Sequence, residues 1–461
     1  MKSRTWHFAA VALSTLLVIP ISLAGQNNNA APPRYILKDL GTLPRGFNSY
    51  FFAGPPSFHL LNNLGMAVFA AGSDIGDPYQ PCFTDCSVNH AARWQNGVLT
   101  DLGALPRNKP SSAPFSISEN GQFVVGLSEN GSIDPLTNFP EYDAVLWRRG
   151  HRIQNLGTFG GNVSEAVSVN NLGQVVGGAT NKTADQYAAG LGPCWSLNCW
   201  PSATQWRAFL WQNGVKTDLG TLGTGKDAVA GLLNAHGQVA GVSYTNTTPN
   251  QTTGIPTQDP FFWEQGNPMV DTGTLGGTLG YPTSLNDKGQ LVGQSNLAGD
   301  KKYHPFLWLK GKTMQDLGTL GGGSGTATSI NNAGEIVGGA WTRGNQAFHA
   351  VLWKNGKPQD LGVLPGYKHS IAFSINSKSQ IVGCLTNNLN AGCICEFSVC
   401  SHGFLWENGT MFDLNKLIPR GSGIKVMLPL NINDRGEIAN WGFVHGFEVH
   451  AVLLIPKTVS R

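Results

Sequence analysis

The sequence predicts an all-β protein: an eight-bladed β-propeller of four-stranded blades, closed by an N-terminal outer strand that pairs with the C-terminal blade. Three observations predict it. One unit recurs eight times, each unit carries two hairpin signals, and the two chain ends hold complementary parts of a single unit. Repeats override the usual expectation of two to four domains for 461 residues. Composition agrees, with 59 Gly and only 13% charged residues, where globular chains average ~7% and ~25%. The net charge of +3 is small and evenly spread, which excludes the basic footprint of a nucleic-acid or anionic-membrane binder.

The first hairpin signal is Asn-x-x-Gly followed by a short apolar run. It begins at Asn62, Ser118, Asn170, Asn234, Asn286, Asn331, Asn376 and Asn433. Ser329–Gly338 is the clearest copy. Apolar runs on both sides of an Asn/Gly turn read as a β-hairpin. Ser118 in place of Asn points to turn geometry, because both side chains bond the local backbone. The second signal ends in Trp94, Trp147, Trp211, Trp263, Trp308, Trp353 and Trp406, often followed by Asn-Gly. Seven or eight residues later stands Asp-Leu-Gly, opened by Asp101, Asn155, Asp218, Asp271, Asp316, Asp360 and Asp413. Each unit thus holds strands A and B around Asn-x-x-Gly, strand C ending at Trp, and strand D leading to Asp-Leu-Gly. Four antiparallel strands per unit match a propeller blade. The repeated Trp reads as inter-blade packing. The Asp reads as a cap on its own loop. A recurring His (His90, His304, His349, His402, His450) reads as architecture, with no metal site and no cofactor expected.

The ends explain closure. Tyr35–Gly41 is a lone strand D, and His450–Leu454 is a strand C with Leu454 in the Trp position. Joining them removes two unpaired sheet edges. Ahead of this, Lys2 and Arg4 precede an apolar run from Phe8 to Leu23, and Ser22-Leu23-Ala24 supplies small residues for cleavage. The expected organisation is a signal peptide over 1–24, a linker over 25–33 and the propeller over 34–456. The mature chain is then secreted, extracellular or periplasmic, with no membrane span.

The strings His349–Trp353, Asp316–Gly322 and Asn331–Gly338 resemble the HAF repeat of bacterial extracellular repeat proteins. The resemblance covers roughly residues 35 to 455. It implies an exported bacterial protein and carries over no catalytic residue, because the family is defined by its repeat. Leu454 in the Trp place and Asn415 in the Gly place depart from it.

Insertions sit in the B–C loops: the span from the A–B turn to the end of strand C varies from 18 to 38 residues. B–C and D–A loops emerge on one face of the ring, so that face is the expected binding face. All eight cysteines fall in these loops: Cys82 with Cys86, Cys194 with Cys199, and Cys384, Cys393, Cys395 and Cys400 together. An even count in an exported chain reads as disulfides, with Cys384 and Cys400 placed to join the base of their loop. Zinc is the rival for that last cluster. Loop aromatics outside the repeat register, Tyr187, Trp195, Trp200, Trp206, Tyr244 and Trp341, are candidates for stacking on sugars, against the simpler reading of packing under the loops. The sequence shows no nucleophile elbow, zinc-protease motif or phosphate loop. The function it supports is an extracellular binding or scaffold module with a polysaccharide or protein ligand. The alternatives are a carbohydrate-active lyase or hydrolase using Asp74, Asp77, Asp85, Asp185 or Asp259, and a cell-surface structural or adhesion component.

Overall fold

The computed structural model describes residues 32–51, 58–79, 82, 86–105, 110–191, 202–389, 400–444 and 448–457. The strands all belong to the compact unit Pro33–Arg461. Among the described residues there are thirty-two of them, and they pair antiparallel in sets of four. Six sets are separate four-stranded sheets, and the remaining two join through one parallel pair, Gln258 with Leu279. Unit three is Ser164–Val169, Val175–Ala184, Thr204–Gln212 and Val215–Asp218. Unit four is Ala228–Leu233, Val239–Pro249, Pro256–Trp263 and Val270–Asp271. The expected exchange between the ends is present. Tyr35–Asp39 pairs antiparallel with Glu448–Pro456, from Tyr35 opposite Pro456 to Asp39 opposite Val452.

The turns have the chemistry that the sequence implies. Asn96-Gly97, Asn213-Gly214, Asn355-Gly356 and Asn408-Gly409 all have positive φ at both residues, the conformation of a type I′ hairpin turn. In the A–B turn the fourth residue is left-handed, and Ser379 adopts φ 60° where other units use Gly. Strand A carries a bulge in most units, for example between Ala327 and Ser329. The strand B glycine opposite makes room for it: a Cβ on Gly338 would lie 2.0 Å from the Thr326 carbonyl oxygen. That close approach is the reason for the repeated Val-Gly.

Each repeated Trp is buried against the preceding unit, as Trp263 is against Val176 and Leu210, and Trp406 against Val337 and Leu352. Leu454 is buried in the corresponding place. The Asn of the A–B turn does more than shape its turn. Asn331 Oδ1 accepts from the backbone of Ala333 and Glu335 (both 3.0 Å), while Nδ2 donates to the Asn376 carbonyl of the next unit (3.1 Å). The same inter-unit bond runs from Asn170 to Asn234, Asn234 to Asn286, Asn286 to Asn331, Asn376 to Asn433, and Asn433 back to Asn62 (2.9 Å). Asn62 bonds Ser118, and where Ser118 lacks the amide, Asn120 Nδ2 bonds Asn171 (3.2 Å).

Unit one departs from the pattern. Its strand A is only Ser49–Tyr50, and the segment before Asn62 contributes two isolated bridges among the described residues, His59 with Ser116 (parallel) and Leu61 with Ala67 (antiparallel). Cys384 lies within the strand Ile381–Thr386 and not in the loop, and it is bonded to Cys400. Cys82 is bonded to Cys86. The Cys384–Cys400 bridge removes two thiolates from the proposed zinc cluster. Cys194, Cys199, Cys393 and Cys395 lie outside the described residues, as do the signal-peptide residues. No helix among the described residues is long and apolar enough to cross a membrane.

Candidate functional site

On the loop-rich face, at the junction of units three and four, an open pocket of about 720 Å³ is lined by Asp185, Tyr187, Lys226, Asp227, Tyr244 and Asn246, among others. Its walls follow from local structure. Strand B of unit three ends at Ala184, and Asp185 begins the long B–C loop. The Asp185 carboxylate accepts from the Tyr187 backbone N–H (2.7 Å), which sets the turn into the short helix Ala188–Leu191. Tyr244, on strand B of unit four, donates its hydroxyl to the Tyr187 carbonyl (3.1 Å) and so holds that loop against the sheet.

Asp227 precedes strand A of unit four and is 1% exposed. It accepts from the Trp206 backbone N–H at 2.8 Å, tying unit three to unit four. Other junctions make this tie without a carboxylate: Asn89 N–H donates to Ser111 Oγ (3.2 Å), Tyr303 N–H to Ser324 Oγ (3.3 Å) and Phe348 N–H to His369 Nδ1 (2.9 Å). The tie therefore does not require an acid. Burial pushes the Asp227 carboxyl up to about 7, and the charge of Asp185 together with a hydrogen bond between the two carboxyls adds to the rise. The Trp206 N–H and Arg207 oppose it. Asp227 can thus hold a proton near neutral pH beside a second carboxylate, in a pocket that also presents a tyrosine and a lysine.

Of the aromatics picked out in the sequence, Tyr187 and Tyr244 converge on this pocket. Trp206 and Tyr244 are not exposed rings, being 0% and 1% exposed. Trp206 packs over Gly178, where a Cβ would come within 2.9 Å of its ring. Neither offers a free face, so their part is to support the pocket wall. Trp341 is half-buried in another unit, edge-on to Phe348 at 5.5 Å and to His369 at 6.0 Å. Trp195, Trp200 and Asp85 lie outside the described residues. Asp74 is ion-paired with Arg45 at 2.9 Å, and Asp77 accepts from Ser111 Oγ at 3.0 Å. Among the described residues no three His, Cys, Asp or Glu side chains converge as metal ligands.

Sequence reasoning missed one recurrent pair. The recurring His bonds through Nδ1 to the Asp of Asp-Leu-Gly: His304 to Asp316 at 2.8 Å, His349 to Asp360 at 3.0 Å, His450 to Asp39 at 2.7 Å. His90 with Asp101 and His402 with Asp413 repeat it. The same Asp caps the loop as expected, accepting from the Gly two residues on, as Asp316 does from Gly318 at 2.7 Å. The signal was present: the His stands four residues before the Trp and the Asp seven or eight after it.

No family model matches the chain, and no curated protein matches it. Solved structures do. The β-propeller domain of the trilobed protease from Pyrococcus furiosus aligns over 83% of this chain and 98% of its own, at 9% identity and a TM-score of 0.41. A polysaccharide lyase described as an ulvan lyase aligns over 92% and 96%, at 12% identity and TM-score 0.40. Trypanosoma rangeli sialidase aligns over 79% of this chain and 57% of its own, at 13% identity and TM-score 0.35.

Proposed function

We propose that the chain is an exported eight-bladed β-propeller of the HAF-repeat kind, closed between its first and last strands, which binds a carbohydrate at the junction of units three and four. The pocket carries the reading. It sits on the face where the sequence concentrates its insertions, and it combines a half-exposed tyrosine with carboxyl, ammonium and amide groups. A flat ring beside clustered donors and acceptors suits a sugar, which has apolar faces and polar edges. Closure is supported by the pairing of the first and last strands and by the bond from Asn433 back to Asn62. Export is supported by the N-terminal charge and apolar run, and by two disulfides, which persist in oxidising compartments.

A second reading, that the pocket hydrolyses or eliminates a glycan, is favoured by one observation. Asp227, raised to about 7 and hydrogen-bonded to Asp185, has the properties of a general acid working near neutrality.

The test is a panel of polysaccharides presented to the oxidised mature protein, scoring both retention and release of new reducing or unsaturated ends. Retention that weakens at least about tenfold in Tyr187→Ala is the expected result. Release that disappears in Asp227→Asn while retention persists would make the protein an enzyme. Absence of both signals across the panel would overturn the carbohydrate reading.

A further inference from the structure

The repeat provides its own control. In all eight units the residue four before the Trp, or before Leu454, faces the residue that opens Asp-Leu-Gly or its equivalent. Five units place a His there, bonded to the Asp. Unit three places Arg207, whose Nε and Nη2 reach Asp218 at 2.9 and 3.2 Å in a bidentate pair. In unit two both partners change together: Asp143 faces Asn155, and the amide donates to the carboxylate at 2.7 Å. Seven units therefore meet the acceptor with an N–H donor from this chain.

Unit four does not. Asp259 faces Asp271, so two acceptors meet, and their hydrogen bond requires a proton held between them. Asp271 still caps its loop, accepting from the Gly273 N–H at 2.7 Å. Asp259 is 8% exposed, and its Oδ1 is buried with no hydrogen-bond partner among the described residues. Asp271 is exposed, so the pair is reached from solvent on that side. An aspartate is also shorter than the histidine or arginine that stands at this position in six other units.

We propose that the Asp259–Asp271 pair is a binding site for an organic cation bearing N–H donors, a guanidinium or primary ammonium group supplied by a ligand in the place where the other units use their own side chain. Arg207 on Asp218 in unit three shows the geometry: two parallel N–H···O bonds on one carboxylate. A calcium ion is a poor occupant, because it takes six to eight oxygen ligands and no third acidic side chain joins the pair among the described residues. Burial, and then the charge of Asp271, holds the Asp259 carboxyl above the ordinary range, so an arriving cation displaces a proton. The site stands independently of the carbohydrate reading, since it is built from different residues than the pocket.

The experiment titrates the mature protein by calorimetry with two probes, N-acetyl-arginine amide and a glucosamine tetramer. Each is measured against wild type, Asp259→Asn and Asp259→His. Saturable binding of either probe, with proton release and at least about tenfold loss in Asp259→Asn, is the expected result, and the probe that binds identifies the source of the cation. Asp259→His rebuilds the pair found in five other units. It should fold, melt higher than wild type and no longer bind. No saturable binding by either probe, or binding that Asp259→His leaves intact, would overturn the proposal.

Discussion

Replacing Asn433 with Ala removes one of the hydrogen bonds that join the last unit to the first. Asn433 is 5% exposed and its side chain makes four hydrogen bonds. Its Oδ1 accepts from the backbone of Arg435 (3.1 Å) and Glu437 (2.9 Å), and its Nδ2 donates to Glu437 Oε2 (2.7 Å) and to the Asn62 carbonyl (2.9 Å). Three bonds between neutral groups are worth about 1 kcal/mol each net, and the one to a carboxylate about 2. Freed side-chain entropy returns about 1 kcal/mol. The expected loss is therefore about 4 kcal/mol. Asn331→Ala in the middle of the chain breaks an equivalent set, to Ala333, Glu335 and Asn376, and should cost the same. Ser118→Ala, which removes only a hydroxyl bonded to Asn120 and Phe123, should cost about 1 kcal/mol. Chemical denaturation followed by tryptophan fluorescence reads all three. Only the bond to Asn62, about 1 kcal/mol of the 4, crosses between the ends, so an Asn433→Ala loss about 1 kcal/mol smaller than that of Asn331→Ala would mean that the ends are not joined as described.

Other perturbations test other parts. The Asp39 hydrogen bond, against opposing burial, raises His450 above its usual value. In Asp39, burial is outweighed by the bonds from His450 and Gly41, and that carboxyl is lowered. The histidine's contribution is full below about pH 6.5 and lost as pH rises through its folded value; the aspartate's is full above about pH 4 and lost on acidification. His450→Gln should therefore destabilise most between pH 4 and 6.5 and progressively less as pH rises above that range in thermal melts; a flat difference across pH would contradict the pairing. Burial pushes Glu165 up to about 8, so it weakens the fold increasingly from pH 4.5 towards 8. Glu165→Gln should raise the melting temperature at pH 8.5 and change little at pH 4.5. Cys400→Ser opens a disulfide of sequence separation 16, worth about 3 kcal/mol in the chain-entropy view, and should lower the unfolding midpoint accordingly. Gly338→Ala drives a methyl onto the Thr326 carbonyl and should prevent soluble folding, whereas Gly356→Ala at an open turn should cost about 1 kcal/mol or a little more.

The fold was legible because its signals repeat. Asn-x-x-Gly, Asn-Gly, Trp and Asp-Leu-Gly each specify a local geometry, and eight copies turn weak propensities into a register. The half-units at the ends then indicated which strands must meet. The site was less legible. Tyr187, Tyr244 and Asp185 were singled out as loop residues, but Asp227 was not, because a carboxylate next to strand A looks like an ordinary strand boundary. Only the inter-unit bond to Trp206 and its burial distinguish it. For Trp206 the sequence leaves both sugar stacking and packing under the loop open, and the structure shows packing, over Gly178. The His–Asp pairs were visible as two separate periodicities. Their contact depends on the register of strands C and D, which spacing alone does not fix.

The most direct test of the ring is a cysteine pair across its seam. Ile36 and Ile455 stand opposite each other between the first and last strands, and Leu307 and Gln315 do so between strands C and D of unit five. The double variant Ile36→Cys, Ile455→Cys should oxidise to an intramolecular bridge in the monomer, mapped by peptide mass spectrometry, as readily as Leu307→Cys, Gln315→Cys. Bridging only between chains, or none where the unit-five pair bridges, would mean that the two ends do not meet.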